Sequence, residues 1–176
     1  MDTHTSGSAT AAEPATGPLV RLAELGLRLP LAPAAVAAYV PALHVGTRVL
    51  TSGQLPFVDG NLPTTGRLGE AITVPEGSDL ARVAVMNALA AVHGLVPLEH
   101  VVRVVKLVGY VASADGFIEQ PVVVDGASHL IGQIFGERGR HARSAVGVAW
   151  LPLGSPVEIE LEVEVEVAER PHAHSA

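Results

Sequence analysis

Residues 157–167 alternate without exception between aliphatic side chains and glutamates, and this segment constrains the fold more than any other. Successive side chains of a β-strand point to opposite faces, so the pattern predicts one long strand with an aliphatic face and an acidic face. Glutamates on one face lie about 6.6 Å apart along the strand and repel one another unless they are solvated or paired. The aliphatic face must therefore be covered, while the acidic face is expected to be mostly solvated.

The remaining periodicities predict shorter elements separated by glycine- and proline-rich turns. Ser78 is expected to cap a helix whose apolar residues recur at helical spacing and which ends at Gly94. The segment 57–73 has little periodicity and is predicted to be a loop. The other predicted elements are a helix at 19–25, a hairpin of strands at 42–45 and 47–51, a strand at 100–111, a helix between Pro121 and Gly136 and a strand at 144–151. This order predicts an α+β fold in which two helices cover one face of a mixed sheet.

The length of the chain indicates one domain with short extensions. Its 176 residues are 48% hydrophobic, which is enough for one core without disulfides or metals. We predict a single domain at 18–168, a disordered leader at 1–17 and a flexible tail at 169–176, because both ends have little to bury. Neither a signal peptide nor a membrane-spanning segment is recognisable, so a cytoplasmic protein without a membrane partner is expected.

Charge and residue usage argue against several classes of function. The formal net charge of −7 and the few, scattered aromatic side chains argue against a nucleic-acid partner. The absence of cysteine excludes a thiol nucleophile and cysteine-based zinc sites, and we expect neither a metal nor an organic cofactor. Five histidines form no convincing ligand spacing and are expected to be surface or core residues: His44, His93, His100, His129 and His141.

Arg143 is the residue that most clearly indicates a site. An arginine that leads into an apolar strand is costly to bury unless it holds an anion, and its planar guanidinium matches a carboxylate. The alternative is a structural ion pair between Arg143 and one of the strand glutamates.

Five motifs follow one another along the chain: A-A-V-A-A-Y ending at Tyr39, V-L-T-S-G-Q at 49–54, H-A-R-S-A-V-G-V-A at 141–149, L-P at 151–152 and V-E-I-E at 157–160. In this order they resemble the RidA (YjgF) family, also called the endoribonuclease L-PSP family, over roughly residues 31–167. A longer loop at 57–77, and A-R-S-A-V in place of the commoner A-R-S-C-V, indicate a divergent branch.

The resemblance implies a chorismate-mutase-like α+β fold and a homotrimer with three ligand sites at the subunit interfaces. It also implies that the ligand is a small metabolite with a carboxylate. The activity implied is the hydrolysis of reactive 2-imino acids, or their enamine tautomers, to 2-oxo acids and ammonia without a cofactor.

The resemblance also implies roles for individual residues. Arg143 would clamp the substrate carboxylate, and Glu158 would orient or activate the attacking water. Tyr39 and Ser52 would line the pocket, and Gly53 would let the backbone approach the ligand.

Two further predicted substrate-binding positions depart from the family pattern. Ala145 stands where the family has a cysteine, so a backbone contact would survive but a thiol contact would not. Asp125 stands where the second helix usually carries asparagine. If Asp125 faces the site, its carboxylate competes with the substrate carboxylate for Arg143 and repels the anion.

Two alternatives to the deaminase remain open at this point. One is a non-catalytic, stress-protective trimer whose cleft binds a small metabolite, and the departures at Ala145 and Asp125 favour it. The other is an endoribonuclease, which the negative charge argues against. The sequence also leaves open whether Glu162, Glu164 and Glu166 form a solvated edge or meet Arg138 and Arg140 of a neighbouring subunit.

Overall fold

The computed structural model describes residues 17–31 and 39–166. The predicted tail, nearly all of the predicted leader and the motif before Tyr39 lie outside these residues. The helices and strands are α1 (Pro18–Glu24), β1 (Ala42–Val45), β2 (Arg48–Thr51), α2 (Val74–His93), β3 (Val101–Ala112), α3 (Gln120–Phe135), β4 (Ala142–Val148) and β5 (Val157–Val165). Short 3-10 turns follow at Leu98–His100, Gly136–Gly139 and Pro152–Gly154.

The five strands form one mixed sheet in the order β1-β2-β5-β3-β4. All neighbouring strands are antiparallel except β3 and β4, which are parallel and are connected through α3. Helix α2 packs on β2 and β5, α3 packs on β3 and β4, and the two helices pack on each other. The predicted α+β fold, with two long helices on one face of a mixed sheet, is confirmed, and α1 is a third, short helix packed against α3.

Strand β5 has the two faces that its alternating sequence predicts. Its aliphatic residues are buried on the side of the helices, and Glu158 to Glu164 lie on the opposite, open face of the sheet. On that face Glu162 binds Arg48 at 2.5 Å and Glu164 binds Arg103 at 3.3 Å. Within the chain, the partners of these two glutamates are therefore arginines on the neighbouring strands.

The two long helices approach each other closely at Gly126. A Cβ atom at this position would overlap the backbone carbonyl of Ser78, so only glycine permits this contact between α3 and α2. The same interface buries aliphatic residues of both helices, including Val85, Leu89 and Ile131. This contact places α3 over β3 and β4, so that polar side chains of α3 can contact β4.

The predicted start of α2 is wrong by several residues. Helix α2 begins at Val74, and its N-cap is Thr73 rather than Ser78. Thr73 and Glu76 form a capping box, in which the Thr73 side chain accepts from the Glu76 amide and the Glu76 carboxylate accepts from the Thr73 amide. Pro75 in the first turn lacks an amide hydrogen that would need a partner, so the helix extends back through it.

The predicted boundaries of the strands are closer to those of the structure. Strand β4 begins two residues before the predicted start and ends at Val148.

The described part of the chain contains no helix that is both long and apolar enough to cross a lipid bilayer.

The capping box gives a direct test of where α2 begins. Thr73→Ala should lower the free energy of unfolding by about 1 kcal/mol, because it leaves an amide at the helix N-terminus without a partner. Urea unfolding at a fixed protein concentration measures this change. Ser78→Ala is the control and should change stability by less than about 0.5 kcal/mol, since alanine is favoured inside a helix. A larger loss for Ser78→Ala than for Thr73→Ala would contradict the assignment.

Candidate functional site

Arg143 and Glu158, the two predicted catalytic residues, lie on opposite faces of the sheet. Arg143 pairs with Leu107 of β3, whose side chain is buried on the helix side. Glu158 pairs with Tyr110 of the same strand, three residues further on, and therefore lies on the open face. Because β3 runs between β4 and β5, one chain by itself does not bring these two side chains together.

Arg143 is held from α3 by two side chains. Its Nη1 donates to Oδ1 of Asp125 at 2.6 Å and to Oγ of Ser128 at 3.2 Å. The Arg143 side chain is 26% exposed and that of Asp125 is 42% exposed, so the pair lies at the surface of the helix layer. Within one chain, Arg143 does not form the alternative ion pair with a strand glutamate, because β5 presents its glutamates to the other face. Asp125 is the partner.

The guanidinium of Arg143 keeps donors for a ligand. Within residues 17–31 and 39–166, its hydrogen bonds all use Nη1, and Nη2 and Nε form none. A guanidinium binds a carboxylate most strongly through two parallel N–H groups, and the edge formed by Nη2 and Nε offers such a pair. Ala145 follows on the same face of β4 and packs partly against the core.

Ser128 and His141 join the Arg143 cluster, although the sequence analysis gave neither of them a role. His141 Nε2 lies 3.1 Å from Ser128 Oγ, and His141 Nδ1 lies 2.6 Å from the carbonyl oxygen of Gly139. The spacing of His141 and Arg143, two residues apart on a strand, places both side chains on one face, and the (i, i+3) spacing of Asp125 and Ser128 does the same on a helix. These spacings are the signal that could have found the cluster.

Two further predicted site residues, Ser52 and Gly53, lie just after β2, and Gly53 contacts Glu158. A Cβ atom at Gly53 would overlap the Glu158 carboxylate, so the glycine lets this side chain lie against the backbone after β2. The Ser52 hydroxyl donates to the Val40 carbonyl at 2.7 Å and thereby ties the end of β2 to the segment that follows Tyr39. The side chain of Tyr39, which begins this segment, is more than half exposed. Predicted residues from three separate motifs are therefore neighbours here.

The environment of Glu158 makes its carboxyl group a weaker acid than usual. Partial burial raises the pKa of Glu158 above its ordinary value of 4.5, and the nearby charge of Glu160 raises it further. Glu160 also accepts a hydrogen bond from the Tyr110 hydroxyl at 3.3 Å. Burial and the Glu160 charge raise the pKa of this phenol as well. A carboxylate with a raised pKa next to a second carboxylate is suited to accepting a proton from water.

A depression on the open face lies beside these groups, between Glu160, Glu162, Lys106 and Leu50. Its volume is about 100 Å³, whereas sites for small ligands usually span roughly 300–1,000 Å³. This depression could therefore hold a metabolite only if another surface completed it. Among residues 17–31 and 39–166, no three histidine, aspartate or glutamate side chains are grouped as metal ligands.

Comparisons with known proteins agree on one family. The model of a family described as "YjgF/chorismate_mutase-like, putative endoribonuclease" matches residues 19–165. Protein TCP17 of Trypanosoma cruzi is 45% identical over 140 residues, which are 78% of this chain and 88% of that protein.

Two solved structures are also similar. The protein Atu1372 of Agrobacterium tumefaciens, described as of unknown function, is 41% identical with a TM-score of 0.78, covering 85% of this chain and 92% of that one. A "putative endoribonuclease" of Shewanella oneidensis is 37% identical with a TM-score of 0.82, covering 85% of this chain and all of that one.

The raised pKa of Glu158 can be tested by titrating its carboxyl group with ¹³C NMR. Glu158 should titrate above 4.5, and Glu160→Gln should lower the Glu158 pKa because it removes a neighbouring negative charge but leaves the burial. The folded pKa lies above that of the unfolded chain, so ionised Glu158 destabilises the fold as the pH rises through the folded value. Glu158→Gln should therefore stabilise the protein more at pH 7 than at pH 4. A Glu158 pKa at or below 4.5 would contradict this assignment.

Proposed function

The chain belongs to the YjgF/chorismate mutase-like family, and on this basis we propose that it hydrolyses 2-imino acids and their enamine tautomers to 2-oxo acids and ammonia. The observation that carries the proposal is the guanidinium of Arg143, which Asp125 and Ser128 hold in place at one edge while Nη2 and Nε stay available. A fixed arginine with two free parallel donors is a binding group for a carboxylate.

We propose further that the working unit is a homotrimer in which each site combines two subunits. The Arg143 cluster and the Glu158 cluster lie on different faces of one chain, so a site that uses both needs Arg143 of one subunit and Glu158 of its neighbour. Exposed aliphatic side chains on the open face support an assembly that covers them. They are Leu43, Val45, Leu50 and Val146.

In the proposed reaction, Arg143 neutralises and orients the carboxylate, which is bonded to the imino carbon. This carbon is already electrophilic, so positioning and one proton acceptor suffice for the attack of water. Glu158 orients the water, whose oxygen bonds to the imino carbon while the π electrons move to nitrogen and one water proton passes to that nitrogen. The second water proton follows from the hydroxyl group of this carbinolamine as the C–N bond breaks, so ammonia leaves and the 2-oxo acid remains. A related protein, Escherichia coli TdcF, 25% identical with a TM-score of 0.55, has been crystallised with bound serine, itself a small carboxylate.

A binding protein without turnover is the second candidate, and the contact between Asp125 and Arg143 favours it. Asp125 already partly neutralises the guanidinium, which weakens the attraction for an anionic substrate and its transition state. A binding trimer would show thermal stabilisation by small carboxylates but no release of ammonia. The net charge of −7 argues against the endoribonuclease that the names of several relatives suggest.

A coupled assay tests the role of Arg143. An amino-acid oxidase generates 2-imino acids, and the rate of their decay is compared with and without the protein. Arg143→Ala should lower kcat/KM about 10- to 150-fold, which corresponds to the loss of a charged hydrogen bond worth about 1.5–3 kcal/mol. Asp125→Asn should lower KM several-fold, because it removes the competing carboxylate.

Arg28→Ala is the control for this assay, since Arg28 is an exposed arginine remote from both clusters in sequence. It should keep the wild-type rate. If wild-type protein, confirmed as folded, does not accelerate the decay of any 2-imino acid, the deaminase proposal is wrong and the binding function takes its place.

Mixing two inactive variants tests whether two subunits share a site. Arg143→Ala and Glu158→Ala are unfolded together in equal amounts and refolded, so that their subunits mix. Half of the subunits keep Arg143 and the other half keep Glu158. About one quarter of the interfaces therefore pair an intact Arg143 with an intact Glu158. Activity should return to about a quarter of the wild-type value. Activity that stays at the level of the separate variants would overturn the shared site, and light scattering checks the trimer.

A further inference from the structure

A chain of hydrogen bonds links Arg143 to the imidazole of His141, which takes no part in the reaction proposed for Arg143 and Glu158. It runs from Arg143 Nη1 to Ser128 Oγ at 3.2 Å, from Ser128 to His141 Nε2 at 3.1 Å, and from His141 Nδ1 to the Gly139 carbonyl at 2.6 Å. Its three side chains come from α3, β4 and the residue just before β4. All three are partly buried, so the chain reaches the surface at Arg143 without being freely solvated.

The direction of each hydrogen bond follows from the chemistry of the groups. A carbonyl oxygen can only accept, so His141 Nδ1 carries a hydrogen and donates to Gly139. In the neutral ring Nε2 is then an acceptor, and the Ser128 hydroxyl donates to it. Arg143 can only donate, so Ser128 Oγ accepts from it. Each donor therefore has an acceptor. The Ser128 hydroxyl is paired with the His141 imidazole as a base, and the Gly139 carbonyl orients that imidazole.

We propose that Ser128 and His141 form the proton relay of the imine hydrolysis, with Ser128 in contact with the reacting water and His141 as the proton acceptor behind it. This inference rests on the proposed function. The imino carbon is bonded to the carboxylate carbon, so a substrate held by Arg143 has its reacting centre beside the guanidinium that Ser128 contacts. Glu158 of the same chain lies on the other face of the sheet and cannot reach this substrate. The relay instead supplies His141 as a base from the same subunit whose Arg143 binds the carboxylate.

The proton balance of the step is complete without a further reactant. Water forms a bond to the imino carbon and passes a proton to Ser128 Oγ, while Ser128 passes its own hydrogen to His141 Nε2. The π electrons of the C=N bond move to nitrogen. The imidazolium then returns the proton through Ser128 to this nitrogen. The hydroxyl proton then passes to the amino nitrogen through the same relay, the C–N bond breaks with its electron pair on nitrogen, and ammonia leaves as the C–O bond becomes the carbonyl of the 2-oxo acid.

The charged groups around His141 come from three elements. Asp125 on α3 and Arg143 on β4 form an ion pair at 2.6 Å, so their charges largely offset each other beside Ser128. On the 3-10 turn before His141, Glu137 pairs with Arg140 at 3.4 Å, and Arg138 donates to the Val101 carbonyl. His129 follows Ser128 on α3 but is exposed. Asp125 and, in the proposed trimer, Glu158 of a neighbouring subunit are thus the other groups beside Arg143 that could accept a proton, and the test must separate both from His141.

The pH dependence of kcat/KM in the coupled assay separates these roles. Wild-type activity should fall in acid, because a protonated imidazole can no longer accept the proton from Ser128. His141→Gln keeps an acceptor for Ser128 but does not titrate, so it should lower kcat about 100-fold, the lower end of general-base effects. KM should stay within about a factor of three, and the acid limb should disappear. Ser128→Ala interrupts the relay and should lose the same limb.

Two control variants identify the titrating group. His129→Gln changes the adjacent, exposed histidine and should keep the wild-type rate and pH profile. Asp125→Asn should keep the acid limb, because it leaves the hydrogen bond between Ser128 and His141 unchanged, while its KM falls several-fold. If Asp125→Asn loses the limb and His141→Gln keeps it, Asp125 is the base and the relay is wrong.

The outcomes distinguish the two proposals. An active wild-type enzyme whose acid limb survives in both His141→Gln and Ser128→Ala would overturn the relay and leave the deaminase standing. A folded wild-type protein without deaminase activity would overturn both. If His141→Gln does not assemble, Ser128→Ala decides by itself, since alanine is favoured in the middle of α3. Circular dichroism and light scattering establish which variants are folded and assembled.

Discussion

Burial of the aliphatic face of β5 under α2 is the interaction on which the rest of the structure depends. Its five buried aliphatic residues each contribute about 1.5–3 kcal/mol relative to exposure, whereas an exposed ion pair of the open face contributes about 0–1 kcal/mol. The hydrophobic face therefore sets which way β5 lies in the sheet, and the glutamates must take the other face. Because β5 is central, it also sets the faces of β2 and β3.

This constraint divides the site. Glu158 lies on the acidic face of β5, and Arg143 lies on the helix side of β4. The carboxylate and the guanidinium are therefore on opposite sides of one sheet. A single chain could unite them only by shifting a strand by one residue, which would expose a whole aliphatic face. The proposed assembly of several chains would unite them and keep the core intact. The division of the site and the proposed trimer thus follow from the same physical cause.

The Arg143 cluster shows how a partly exposed polar network can remain ordered. Asp125 and Ser128 hold one edge of the guanidinium, and the Gly139 carbonyl selects the tautomer of His141. The close approach of the helices at Gly126 places α3 so that Asp125 and Ser128 reach β4. Asp125 orients Arg143, and in the proposed function it would also compete with the substrate carboxylate for this guanidinium.

The amino-acid sequence by itself determined the class of fold, the family and most of the elements, because alternation and helical spacing are local properties of the chain. It also named Gly53 and Glu158 as candidate site residues, and these two residues are in contact in the structure. It misplaced the start of α2, since Ser78 and Thr73 are both good caps and only the capping box with Glu76 distinguishes them. Tertiary structure alone decided that Asp125 is the partner of Arg143 and that His141 and Ser128 join it. Those contacts connect residues from different elements, whose separation depends on how α3 packs on the sheet.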